Sequence, residues 1–156
     1  MKIGLDLDGT LLDCKRRQTA LLAALCHACM QELDADEYWR LKRQGYSNRA
    51  AMCRLGMGEE RIEALASLWE HFIEDIPWLG FDALLPGTLE TLRRWRAQGH
   101  SLHLLSARRN HAHAHQQLLA LSLYCFDSVD FVDPFEQRAK QAMLAALRPD
   151  VYIGDT

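Results

Sequence analysis

Residues 6–13 read DLDGTLLD, and they directly follow a short apolar run that is typical of a buried parallel strand. Asp6 and Asp8 stand two positions apart, so on a strand both carboxylates point to the same side. A buried ionised carboxylate must be paired or bound to a metal. Gly9 allows a sharp turn, and Thr10 adds a hydroxyl beside the acids. The pattern predicts a functional site at a strand end; the alternative is a pair of solvated acids there.

The composition is that of an ordinary globular chain of about one domain. The 156 residues are 49% hydrophobic and 25% charged, enough for one core and a small insertion. A net charge of −3 means that basic residues are not in excess, so we expect no nucleic-acid partner. No run approaches the ~18 apolar residues of a membrane span, and no signal peptide is recognisable. Five cysteines without a disulfide framework predict reduced thiols in a cytoplasmic protein.

Residues 15–82 carry a helical pattern throughout. Apolar residues recur at spacings of three and four, and no strand pattern interrupts them. Helices are predicted at about 15–33, 35–45, 47–55 and 59–76. Pro77 is expected to end the last of them. We therefore expect an all-helical insertion that packs on itself.

The rest of the chain alternates strands with helices. After a helix that opens at residues 86–88, the pattern predicts strands at 101–105, 129–132 and 151–153, separated by helices at 109–121 and 136–147. This order predicts an α/β fold with a parallel sheet and helices on both faces. The core would comprise residues 1–14 and 83–156, with residues 15–82 inserted.

Three predicted strands end in polar residues. Asp6 follows the first strand, Ser106 follows the second, and Gly154-Asp155 follows the last. Because parallel strands bind ligands at their carboxyl ends, we expect these residues to meet at one edge of the sheet.

The DLDGTLLD stretch resembles the first motif of the haloacid dehalogenase-like (HAD) hydrolases, whose members are mostly magnesium-dependent phosphatases. Ser106, Lys140 and residues 154–156 look like the other three motifs of that family, and the helical insertion is similar to its first type of cap domain. The resemblance covers essentially the whole chain. It implies a Rossmann-like three-layer core with a helical cap between the first two motifs.

The resemblance also implies a reaction. Asp6 would attack phosphorus and become an aspartyl phosphate, while Asp8 would protonate the leaving alcohol and then activate water. Dehalogenating relatives do not need an acid at the second position, so Asp8 favours phosphoryl transfer.

The ligand sets follow from the same resemblance. Magnesium suits an all-oxygen site. We expect it to be bound by Asp6, Asp8 (through its backbone carbonyl) and Asp155. We expect the phosphoryl group to be bound by Thr10, Ser106 and Lys140, with Arg138 as the alternative to Lys140.

Two further patterns are interpreted as structural. His111 and His115 share one face of a predicted helix, but His113 does not, and no third metal ligand is evident. These histidines are interpreted as a solvated face. Cys26 and Cys29 have the spacing of a redox motif, but they lie inside an amphipathic helix and are interpreted as helix packing.

Three functions remain open from the sequence. The leading one is a Mg2+-dependent phosphomonoesterase that acts on a small cytoplasmic phosphorylated metabolite. The second is a phosphomutase of the same family, which would also keep Asp8. The third is a phosphate-binding or partner-binding relative with impaired turnover, because the sequence stops at Thr156, directly after the fourth motif.

Overall fold

A parallel sheet forms the centre of the core. The computed structural model describes residues 1–136 and 138–154. Strands run over Lys2–Leu5 (β1), Leu12–Asp13 (β2), Ala83–Leu84 (β3), Ser101–Ala107 (β4), Ser128–Val132 (β5) and Val151–Ile153 (β6). Four of them form the parallel sheet in the order β5-β4-β1-β6, which confirms the predicted α/β fold.

Helices occupy most of the remaining chain. They run over Lys15–Ala28 (α1), Ala35–Arg43 (α2), Asn48–Arg54 (α3), Glu59–Phe72 (α4), Ile76–Leu79 (α5), Thr88–Ala97 (α6), His111–Ala120 (α7) and Ala139–Leu147 (α8). Among the described residues, none of these helices is both long and apolar enough to cross a membrane.

The side of the sheet on which the chain adds its next strand changes once, although all four strands are parallel. The chain passes from β1 to β4 and then to β5 on one side, and afterwards crosses to β6 on the other side of β1. Because such crossovers are right-handed, α8 lies on the opposite face of the sheet from α6 and α7. A reversal of this kind opens a crevice at the carboxyl ends of the strands on either side of it, here β1 and β6.

The two central strands are apolar because both of their faces are covered. Leu5 of β1 and Leu102 and Leu104 of β4 are almost completely buried. Leu92 of α6 and Leu118 of α7 belong to the same apolar cluster. Burial of each such side chain contributes roughly 1.5–3 kcal/mol, so this cluster holds the edge that carries the acids.

Residues 15–81 form a separate compact unit, and residues 1–14 with 82–156 form the other. The helical unit has its own apolar core, centred on Leu22, Tyr38, Met52 and Leu65. Two of its helices begin at side-chain caps. The Asp34 carboxylate accepts a hydrogen bond from the backbone N–H of residue 37, and the Ser47 hydroxyl accepts one from that of residue 50.

Two helix ends in this unit differ from the prediction. α1 ends at Ala28 rather than near residue 33, because Met30 adopts a left-handed conformation with φ 52° that cannot continue a helix. Pro77 does not end α4, which already ends at Phe72; it lies in the first turn of α5. A proline is tolerated there because the first N–H groups of a helix have no intrahelical acceptor.

A short antiparallel ladder was not predicted. β2 pairs with β3, so that Leu12 lies opposite Leu84 and Asp13 opposite Ala83. These strands flank residues 15–81, so the ladder joins the places where the chain leaves the core unit and returns to it. Two residues are too few to give a periodic signal in the sequence.

The central position of β4 predicts a large cost for removing one of its leucines. Leu104→Ala is expected to lower the free energy of unfolding by about 2–5 kcal/mol, through lost burial and a residual cavity. Urea denaturation measures this change. Leu119→Ala is the matched control, because that leucine is 61% exposed, and its cost should stay within about 0.5 kcal/mol. Equal costs for the two variants would contradict the assignment of β4 as a buried central strand.

Candidate active site

The loop after β1 places two carboxylates and a hydroxyl close together. Asp6 extends the strand by donating its backbone N–H to the carbonyl of Ile153, at 2.9 Å. The Leu7 carbonyl then accepts hydrogen bonds from the backbone of residues 11 and 12, at 2.9 and 3.0 Å. Gly9 makes this tight turn possible because its φ is 75°, in the left-handed region that favours glycine. The turn thereby fixes Asp8 beside Asp6.

Asp6 is buried and forms an ion pair. Its Oδ1 accepts a hydrogen bond from the backbone N–H of Leu7 at 2.8 Å, and its Oδ2 accepts one from the Lys140 ammonium. Only 9% of the Asp6 side chain is exposed. Lys140 lies in the first turn of α8, and its Nζ is 5.6 Å from the ring centroid of Tyr152. The structure therefore brings together the predicted nucleophile and the predicted lysine, rather than Arg138.

The surroundings of Lys140 keep it charged. Burial alone would lower the pKa of its ammonium group, but the hydrogen bonds and charges of Asp6 and Tyr152 outweigh burial and raise this pKa above the usual lysine value. The Lys140 ammonium is thus charged across the neutral range of pH.

Asp8 has a different cationic partner. Its Oδ1 accepts a hydrogen bond of 2.5 Å from Nη2 of Arg108, which lies two residues after Ser106. The same nitrogen donates to Oε1 of Gln117 at 3.3 Å, and Nε2 of Gln117 donates to Oδ2 of Asp82 at 2.7 Å. The Asp8 side chain remains 35% exposed, so it can reach a ligand.

The predicted hydroxyl groups lie at the same edge of the sheet. Oγ1 of Thr10 is buried and has no hydrogen-bond partner within residues 1–136 and 138–154. Ser106 is 2% exposed, and the register of β4 against β1 pairs Leu5 with Leu104. Ser106 therefore lies beside the loop that follows β1. An unsatisfied buried hydroxyl next to two acids is an arrangement that a bound ligand would complete.

A family comparison decides which class of protein this is. The sequence profile of haloacid dehalogenase-like hydrolases matches residues 3–155, almost the whole chain. The chain belongs to this family of hydrolases. No curated protein sequence matches it significantly.

Solved structures of HAD proteins share the fold of this chain. A haloacid dehalogenase-like family protein from Streptococcus pneumoniae superposes with a TM-score of 0.78 at 16% identity, covering 99% of this chain and 75% of that one. A HAD-superfamily hydrolase from Geobacter sulfurreducens gives 0.69 at 15% identity, with 99% and 78% covered. A predicted phosphatase from Clostridium acetobutylicum gives 0.66 at 16% identity, with 96% and 73% covered. At these identities the likeness concerns the fold.

One group of possible metal ligands lies near the HAD loop among the described residues. Ligand atoms of Asp8, Cys14 and Asp82 lie within 4.8 Å of one another. Magnesium prefers oxygen ligands, so a thiol does not suit it, and the Arg108 guanidinium already supplies positive charge at Asp8. Asp6 is not a member of this group, and Asp155, the third predicted magnesium ligand, lies outside the described residues.

His111 and His115 are both exposed, which agrees with the solvated helix face expected from the sequence. The rings of His111 and His115 both contact the Phe131 ring, with centroids 5.7 and 5.1 Å apart. Cys26 is fully buried in the apolar core of the helical unit, and Cys29 packs against that core.

Sequence reasoning missed three residues of this HAD site. Arg108, Gln117 and Asp82 are all buried, although each is polar or charged. Arg108 had one usable signal, since it lies just past a predicted strand end. Gln117 and Asp82 had none, because a glutamine on a polar helix and an acid in a loop are ordinary surface residues.

The Asp6–Lys140 pair predicts a measurable coupling. A double-mutant cycle with Asp6→Asn and Lys140→Met, in the presence of a chelator, is expected to give a coupling of ~1–3 kcal/mol in unfolding free energy. Because the lysine pKa is raised, the lysine stays charged at neutral pH, and on the alkaline side the coupling should be lost as the pH rises above 10.5.

Arg138→Met supplies the matched control for this cycle. It removes a neighbouring exposed cation, so its coupling to Asp6→Asn should lie near zero. A larger coupling to Arg138 than to Lys140 would overturn the assignment.

Proposed function

We propose that this HAD hydrolase is a Mg2+-dependent phosphomonoesterase that forms an aspartyl phosphate on Asp6. The observation that supports it is the Asp6 carboxylate, held against Lys140 at the reversal point of a parallel sheet, with Asp8 two residues away. Phosphate-ester hydrolysis needs a nucleophile, a proton donor and positive charge near the phosphoryl oxygens, and these residue types supply all three.

Asp6 is suited to nucleophilic attack. Its two hydrogen bonds fix the carboxylate, so an oxygen is oriented before substrate arrives. In the first step an Asp6 oxygen bonds to phosphorus while the bond from phosphorus to the leaving alcohol breaks. Lys140 offsets the negative charge of the acids and of the phosphoryl group that binds beside them.

Asp8 is suited to moving protons. It is more exposed than Asp6, and the same tight turn holds it in place. It would give a proton to the leaving oxygen in the first step. In the second step it would take a proton from the water that attacks the aspartyl phosphate, which releases inorganic phosphate and restores Asp6.

The site contains hydroxyl groups that can donate hydrogen bonds to a phosphoryl group, and oxygen atoms that can bind a metal ion. Thr10 offers a buried hydroxyl without a described partner, and Ser106 lies at the neighbouring strand end. Magnesium would be held by the oxygens of Asp6 and of the Asp8 backbone, with Asp155 as the further proposed ligand. When bound, it would supply Lewis-acid stabilisation of the phosphoryl oxygens.

The remaining parts of the proposal concern the substrate. We propose that the helical unit, residues 15–81, is a cap domain, because insertions at this place in the chain have that role in the family. The substrate is proposed to be a small phosphorylated metabolite of the cytoplasm. A phosphomutase would use the same Asp6 and Asp8, and the hydrogen bonds of these two acids do not favour it over a phosphatase.

The test is hydrolysis of 4-nitrophenyl phosphate with Mg2+ and with a chelator. We expect release of 4-nitrophenol that requires the metal, and a loss of at least ~10^3-fold in Asp6→Asn, because the nucleophile is removed. Asp13→Asn is the matched control, since it changes an exposed acid of the same DLDGTLLD stretch and should keep activity. Acid-quenched wild-type protein should carry a phosphoryl group on Asp6 by mass spectrometry.

The outcomes separate the candidate functions. Activity that survives Asp6→Asn contradicts the proposed nucleophile. Metal binding without any turnover by a folded wild-type protein would favour a phosphate-binding relative. Phosphoryl transfer to a sugar alcohol in preference to water would favour the phosphomutase.

A further inference from the structure

Arg108 is a buried cation with an unusual environment. It is 1% exposed, and its Nη2 makes the bonds to Asp8 and Gln117. Its Nε and Nη1 are buried without a hydrogen-bond partner within the described ranges 1–136 and 138–154. Burying a guanidinium is costly unless it is well paired, so packing alone does not account for this residue.

Gln117 connects Arg108 to a second acid. An arginine only donates hydrogen bonds and a carboxylate only accepts them, so the amide of Gln117 must turn its oxygen to Arg108 and its nitrogen to Asp82. Both bonds are present, at 3.3 and 2.7 Å. Gln117 is 5% exposed and Asp82 is 7% exposed. The result is a buried polar chain that runs from Asp82 through Gln117 and Arg108 to Asp8.

This chain fixes one oxygen of Asp8. The charge-assisted bond from Arg108 holds Oδ1, and therefore limits rotation of the whole carboxylate. Gln117 in turn restricts Arg108, because rotation of the guanidinium would break the bond to Oε1. Asp82 is the first residue of the core unit after residues 15–81, so the chain is anchored next to the β2–β3 ladder.

We propose that Arg108 and Gln117 are positioning residues that orient Asp8 for proton transfer to the leaving group. The inference rests on the proposed phosphatase function and adds to it a set of residues outside the four motifs. In this proposal, neither residue contacts the reacting atoms. Their effect on the reaction passes through the orientation of the Asp8 carboxylate.

The proposal predicts a dependence on the leaving group. A phenol without electron-withdrawing groups must be protonated as it departs, whereas 4-nitrophenolate departs readily without a proton. Misorientation of Asp8 should therefore slow phenyl phosphate far more than 4-nitrophenyl phosphate, although the two substrates have nearly the same size. The constant to compare is kcat/KM, because it excludes the later hydrolysis of the aspartyl phosphate.

Two variants and one control carry the experiment. Arg108→Lys keeps the positive charge but loses the rigid planar guanidinium, whose Nη2 donates to both Asp8 and Gln117. Gln117→Leu keeps the approximate volume and removes both amide bonds. Gln116→Leu changes the exposed neighbouring glutamine on the same helix and should leave both substrates unaffected.

The expected result is selective. In each of the two variants kcat/KM for phenyl phosphate should fall ~10–100-fold, a part of what general acid catalysis contributes, and that for 4-nitrophenyl phosphate should fall less than ~3-fold. Activity on 4-nitrophenyl phosphate also shows that the variant is folded. The wild-type protein and all three variants are assayed as the 156-residue chain with Mg2+.

Other results would overturn the inference. Equal losses on both substrates would indicate a structural role, and no loss on either would show that Asp8 needs no such support. If the activity of the wild-type protein requires Asp6 and the variants give either of these two results, this inference fails and the proposed function stands. A wild-type protein inactive on both substrates would overturn the proposed function and the inference together.

Discussion

Two carboxylates at the carboxyl end of β1 must each be balanced by positive charge before a core can close around them. Lys140 provides it for Asp6, and Arg108 provides it for Asp8. The two cations come from different crossovers of the sheet, one from α8 and the other from the segment between β4 and α7. The acids therefore link segments that lie 100 and 134 residues apart in the sequence.

The order of the strands makes this charge balance possible. Since β6 lies on the far side of β1 from β4, the crossovers approach the end of β1 from both faces of the sheet. The backbone bond between Asp6 and Ile153 holds this arrangement at the edge of the sheet. Asp6 and Lys140 are thus held by a strand end and a helix, whereas Asp8, Asp82 and Arg108 lie in the short connecting segments beside them.

The parts of this protein that could be predicted have strong local signals. A strand followed by two acids, glycine and threonine located Asp6 and Asp8, and alternating strands and helices predicted the parallel sheet. The parts that could not be predicted depend on distant contacts. The burial of Gln117 follows from Asp82 and Arg108 rather than from its own helix, and the end of α1 at Ala28 depends on one left-handed residue. Asp155 lies outside the described residues and stays a prediction.

The β2–β3 ladder makes residues 15–81 topologically equivalent to the loop of a β-hairpin. Asp13 and Ala83 lie opposite each other, so the core already fixes both ends of the insertion. The entropic cost of closing a flexible loop rises by only about 0.6 kcal/mol for each doubling of its length. Such an insertion can therefore lengthen, shorten or be exchanged for another with little thermodynamic penalty to the sheet. The ladder thus separates the length of the insertion from the closure of the parallel sheet, and the pairs Leu12–Leu84 and Asp13–Ala83 are what close the loop.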